Sequence, residues 1–75
     1  MTNTNLLKSK MVAMGESACV DALADLLHIS RPTASNKLNN KIPFTQDEII
    51  EIVVKYRLTV NDVAAIFLND ERLSL

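Results

Sequence analysis

Apolar residues in this chain recur at helical spacing, and short polar clusters interrupt them. After a polar start, MTNTN, the residues Leu7, Met11 and Met14 fall at i, i+4 and i+7. They form one stripe of a helix over about 5–14. Gly15 follows, free to take the left-handed C′ conformation that ends a helix. Ser17 stands where it can cap a second helix, about 18–27. Val20, Leu23, Ala24 and Leu27 make the inner stripe of that helix, and Asp21 and Asp25 take its wet side. Ser30 is a natural N-cap for a third helix. Pro32 falls at N2, where a missing N–H breaks no intrahelical bond. Ala34 and Leu38 face inward, and Asn39 and Asn40 can close the helix because Asn tolerates left-handed backbone. Residues 1–4 and 70–75 are expected to fray.

The next start is the clearest. Thr45-Gln46-Asp47-Glu48 has the form of a capping box, with Phe44 and Ile49 as its hydrophobic staple. Ile49, Ile52, Val53 and Tyr56 continue as a helical stripe. The run IIEIVV is β-branched and suits a strand on propensity alone. Cap and period agree on a helix, and two concordant signals outweigh one. The device returns at Thr59-Val60-Asn61-Asp62, with Leu58 and Val63 as staple, opening a fifth helix over about 60–69. Val63, Ile66 and Phe67 can fill a core. Val60, Ala64 and Leu68 form a second apolar line beside them. The expectation is an all-α domain of five short helices spanning residues 1–75.

Composition narrows the function classes. A chain of 75 residues with 48% hydrophobic content supports one core, burying roughly 60% of the unfolded surface. One Gly and two Pro leave little room for coil. A lone Cys excludes an internal disulfide, and one Cys with one His makes no zinc site. Cys19 reads as a small buried hydrophobe and His28 as a turn residue. Glu48 and Asp62 are spoken for as caps, so no carboxylate pair remains for acid–base chemistry, and there is no Gly-rich phosphate loop. The expectation is no enzyme, no cofactor, no metal and no small-molecule ligand. No apolar run approaches the ~20 residues of a membrane span, and no signal peptide is visible, so a cytoplasmic protein is expected.

Charge changes the picture by its distribution. The net charge is −1, with a pI of about 5.7. Residues 1–43 carry Lys8, Lys10, Arg31, Lys37 and Lys41 against Glu16, Asp21 and Asp25, a local charge of +2. Residues 44–75 carry Lys55, Arg57 and Arg72 against six carboxylates, a local charge of −3. The front half can face a polyanion and the back half cannot.

A short amphipathic helix, a tight corner, and a second helix with a small inward residue is the helix-turn-helix arrangement. Its second helix enters the major groove, with its N-terminal residues at base edges. The polar outer face of residues 30–41 fits that use. The stretch ALADLLHISRPTASNKLNNK resembles the Cro/C1-type helix-turn-helix repressors of phages, especially short regulators from Gram-positive hosts. Ala24 matches the small residue of helix 2, Ile29 the apolar residue of the turn, and Ala34 and Leu38 the inward positions of the recognition helix. KIPFTQDEIIEI and LTVNDVAAIF are similar to the family's fourth and fifth helices, so the resemblance runs from about residue 6 to 68. It implies a five-helix, lambda-repressor-like fold with the helix-turn-helix at helices 2 and 3.

Carried over by position, the resemblance implies that Arg31, Pro32, Thr33 and Asn36 read bases. It places Ser30, Lys37 and Lys41 at phosphates, and a homodimer seam along Val60, Ala64 and Leu68 of the fifth helix. Three positions depart from the family. His28 replaces the usual turn Gly and must then take positive φ. Val20 replaces a phosphate-contacting Gln, and Asn40 replaces a C-terminal Gly. With no second domain, the chain resembles Cro, or the operator-binding half of a repressor. The implied function is a transcriptional regulator that binds an inverted-repeat operator as a dimer. The alternative, supported by the acidic pI and sparse cations, is a small helical protein-interaction module, an antirepressor or adaptor, without DNA binding.

Overall fold

The computed structural model describes residues 1–68. Among the described residues the chain forms five α-helices and no strand: α1 (Thr4–Ala13), α2 (Cys19–Leu27), α3 (Arg31–Leu38), α4 (Gln46–Tyr56) and α5 (Val60–Phe67). The expected fraying of 70–75 lies outside the described residues. The β-branched run of α4 is helical, as its cap requires.

Local chemistry accounts for the boundaries. Asn3 caps α1, its side-chain oxygen accepting from the Leu6 N–H at 3.1 Å. Residues 2–4 have defined partners, whereas Met1 is 82% exposed. The Asn3 N–H donates to the Ile66 carbonyl at 2.7 Å, Thr4 is buried, and the Asn40 amide donates to the Thr2 carbonyl at 3.0 Å. At its other end α1 stops one residue short of the expected stripe. Met14 is the C-cap and Gly15 turns away at φ 101°, so the Met14 side chain leaves the core and is 53% exposed.

The second helix also differs at its start. Its N-cap is Ala18, which makes no side-chain cap bond. Ser17 sits one residue too early for its hydroxyl to meet the N2 or N3 amide. Asp21 in the first turn still offers a favourable charge to the open amides. Both capping boxes form as their spacing predicts. The Thr45 hydroxyl accepts from the Glu48 N–H, and Glu48 accepts from the Thr45 N–H. Thr59 and Asp62 repeat the exchange.

Leu7, Met11, Leu23, Ile52 and Ile66 are fully buried, with Ala24, Ala34, Leu38, Tyr56 and Leu58 completing the core. Every helix therefore supplies at least one core residue. Val63 and Phe67 pack against this cluster as expected, partly buried. Phe44 and Phe67 meet edge to face, centroids 5.8 Å apart, so the segment between α3 and α4 is packed against α5. No helix among the described residues is long and apolar enough to cross a membrane.

Candidate functional site

The site is built around the corner between α2 and α3, the two helices that pack most extensively on each other. Ala24 and Ala34 are both buried. Small side chains on these two helices allow the close approach. His28 ends α2 in the left-handed conformation, φ 56° and ψ 44°. Non-Gly residues seldom accept this region, but His is among the enriched types. The Ile29 N–H returns to the Ala24 carbonyl at 3.0 Å, and the Ile29 side chain packs on the core. Ser30 is extended and caps α3: its hydroxyl accepts from the Thr33 N–H at 3.3 Å and donates to the Thr33 hydroxyl at 2.9 Å. The corner is thus fixed by backbone, cap and core together.

This corner aims the start of α3 outward. Ser30, Arg31 and Pro32 are exposed, and Thr33 and Asn36 are half-buried. Pro32 stands at N2 as expected. No hydrogen bond engages the Asn36 side-chain amide among the described residues. Asn40 follows α3 at φ 60°, and the Lys41 N–H closes on the Asn36 carbonyl at 2.8 Å. Lys41 itself is exposed. Arg31 is not free: its Nε lies 2.8 Å from Oδ1 of Asp21 on α2.

Lys37 departs from the expectation of a phosphate contact. The residue is only 5% exposed. Its ammonium donates to Oε1 of Glu48 at 2.8 Å and to the Pro43 carbonyl at 3.0 Å, and lies over the Phe44 ring, 5.7 Å from its centroid. The reason is helical geometry. Ala34, Lys37 and Leu38 stand at i, i+3 and i+4, so Lys37 shares the inward stripe, and its long stem carries the charge to the α4 capping box. Lys10 is likewise engaged, 3.1 Å from Asp62.

These partners shift several protonation equilibria. Burial pushes the Glu48 carboxyl up, but the Lys37 ammonium and the Thr45 amide and hydroxyl outweigh it and hold the group below the usual carboxylate range. Asp62 is also lowered, by the Thr59 amide first and by Lys10. Tyr56 donates its phenol proton to Oε2 of Glu16 at 2.5 Å. Burial, and then the Glu16 carboxylate, raises that phenol well above its ordinary value. Sequence reasoning missed the Lys37–Glu48, Tyr56–Glu16 and Arg31–Asp21 pairs. For Lys37 the signal was present, in its place on the same stripe as Ala34 and Leu38.

Away from this corner, Val60 is 85% and Leu68 56% exposed, and Ala64 between them is exposed. Among the described residues the apolar line formed by Val60 and Ala64 of α5 and its C-cap Leu68 is therefore exposed. Ile50 and Val54 on α4 are exposed as well. Cys19 is half-buried, with its thiol 3.9 Å from the Lys8 carbonyl. Among the described residues no group of three His, Cys, Asp or Glu side chains could hold a metal ion. No known family model, curated protein or solved structure matches the chain.

Proposed function

We propose that this protein is a sequence-specific DNA-binding transcriptional regulator of the Cro/C1 type, with α2 and α3 as a helix-turn-helix and α3 as the recognition helix. The observation that carries the reading is the corner at His28. A left-handed residue, an apolar Ile29 turned inward and a capped α3 leave the first turn of α3 open, with Ser30, Arg31 and Pro32 exposed and Thr33 and Asn36 half-buried. These side chains have the chemistry of base edges. Arg pairs with guanine and Asn with adenine, and a Thr methyl or a Pro edge can meet a thymine methyl. Ser30 and Lys41 supply phosphate contacts, and Lys37 supplies none because its charge is spent inside the fold.

The loss of Lys37 from the phosphate set strengthens the case for a dimer. Each neutralised phosphate contributes about 0.9 to the salt slope, and a single domain offers few free cations. Two domains joined along Val60, Ala64 and Leu68 double the contacts and read half-sites about one helical turn apart. Occlusion of a promoter by such a dimer is the mechanism. A protein-interaction module remains the second reading, favoured by the exposed Ile50 and Val54 and the net charge of −1.

Selection of duplexes from a random pool, followed by gel shift, separates the two. The regulator reading expects an enriched inverted repeat. Asn36→Ala should then cost about 1–3 kcal/mol on that site and relax one base pair. Lys41→Ala should weaken all sequences alike and lower the salt slope by about one unit. A pool without enrichment, or an Asn36→Ala protein that binds as the wild type does, rejects the assignment.

A further inference from the structure

The ion pair between Arg31 and Asp21 calls for an explanation that stability does not give. Both side chains are largely open to water, 74% and 47% exposed, and an ion pair in such a place adds little to folding free energy. It also puts a carboxylate on the face that the reading above turns toward phosphate, where it repels. Local helix chemistry does not account for the contact either. Asp21 lies in the first turn of α2, but that helix is capped at Ala18 without any side-chain bond, and the Asp21 carboxylate turns to Arg31. Arg31 is the first residue of α3, at the positive end of that helix, an unfavourable place for a cation.

We propose that Asp21 is a positioning residue for Arg31, setting the guanidinium for recognition of a guanine and lowering affinity for DNA in general. The inference rests on the DNA-binding reading and deepens it. The contact is made at Nε, the stem-side donor, 2.8 Å from Oδ1. A guanidinium is a planar fork of five donors. A carboxylate beside Nε leaves the outer edge, with its two terminal nitrogens, directed away from α2. That edge matches the O6 and N7 acceptors of guanine. Asp21 can set the direction because its own place is fixed: α2 and α3 are locked by the buried Ala24 and Ala34 and by the His28 corner. The charge does a second thing. Near a phosphate it opposes binding on every sequence alike, whereas only a correctly placed guanine recovers the loss through Arg31. Asp21 thus trades general affinity for selectivity.

The test is a double-mutant cycle on equilibrium binding to three duplexes: the site selected by the wild-type protein, the same site with the Arg31 base pair exchanged, and random DNA. The variants are Asp21→Asn, Asp21→Ala, Arg31→Ala and Asp21→Asn/Arg31→Ala. The wild type should prefer guanine at one position by about tenfold or more. Asp21→Asn and Asp21→Ala should reduce that preference to about threefold or less while binding random DNA about two- to fivefold more tightly, as expected when one repelling charge is removed. Preferences at the other positions should persist. In the Arg31→Ala background Asp21→Asn should tighten all three duplexes by the same factor and leave discrimination between them unchanged. A merely structural role would weaken all three duplexes together and overturns the inference. So does an Asp21→Asn protein that keeps wild-type discrimination, with the DNA-binding reading left standing by its selected site. A wild-type protein that selects no site overturns both.

Discussion

Replacing Lys37 by Met removes the ammonium and keeps most of the stem. The change leaves no large cavity, so the cost is electrostatic. Two hydrogen bonds disappear, to Glu48 Oε1 and to the Pro43 carbonyl. Removing one partner of a fully buried ion pair costs about 3–5 kcal/mol. Here the Lys37 side chain is 6% exposed but Glu48 is 17% exposed, and Glu48 keeps its bond from the Thr45 N–H. Water and the cap therefore recover part of the loss, and about 2–3 kcal/mol is expected. A domain of this size is stable by about 4–11 kcal/mol, so the melting temperature should fall by about 10–20 °C. The sign with pH follows from Glu48. Its folded-state carboxyl lies below the ordinary value of 4.5, so the pair's contribution is present above that pH and lost as pH falls through the lower folded value. Urea melts followed by circular dichroism should separate wild type and variant at pH 7, and the gap should narrow as pH falls through the folded Glu48 value, leaving the share of the Pro43 carbonyl bond. Adding Glu48→Gln, which keeps a capping side chain, should recover most of the loss. A Lys37→Met protein within about 0.5 kcal/mol of wild type at pH 7, or one whose deficit never narrows through the acid range in which both proteins stay folded, would refute the reasoning.

Other substitutions probe the remaining features. His28→Gly should be neutral or stabilising by up to about 1 kcal/mol, because it relieves a left-handed side-chain penalty; a clear loss in chemical denaturation would contradict the corner geometry. Tyr56→Phe should cost about 1–2 kcal/mol by leaving Glu16 without its donor. Tyr56 is the one tyrosine in a chain without Trp, so ultraviolet titration reports it alone. Its raised folded value means that its contribution holds below the ordinary value of 10.0 and is lost as pH rises through the folded one. A phenol that ionises at its ordinary value in the folded protein would show the Glu16 bond to be absent. Leu68→Glu should lower the dimer fraction in sedimentation at micromolar concentration and leave the helical circular-dichroism signal intact; a wild type that stays monomeric on its DNA would place the seam elsewhere.

Features that depend on fixed offsets along the chain are legible in the sequence. The Thr45 and Thr59 boxes, the Ser30 cap and Pro32 at N2 each involve residues within four positions, where backbone geometry alone sets the distance; the left-handed His28 was implied only by the resemblance to a helix-turn-helix turn. Core membership is legible where the stripe is regular, as for Leu7, Met11, Leu23, Ile52 and Ile66. The failures share another cause. Met14 obeyed the period, but the helix ended before it, and a single residue of boundary error moved its side chain into water. Ser17 missed its cap by the same margin. Lys37 was read by its charge, although its stripe position pointed inward, because the destination of a long flexible stem depends on what stands across from it. Glu48 is eleven residues away, and Tyr56 lies forty from Glu16. The fold has to exist before these partners are neighbours.

The bonds that join the first residues to the last helix have a consequence in time. Leu7 and Met11 are fully buried in a cluster that includes Ile66, and the Asn3 N–H has its acceptor on that same residue. During synthesis the first helix must wait about 50 residues for this partner, roughly 3–10 s at ordinary elongation rates. Through that interval the Leu-Met stripe of α1 lacks its α5 partner. Helices 2 and 3 with their corner depend on nearer contacts and can dock earlier. The outward face of α3 can therefore form before α1 and α5 close on each other.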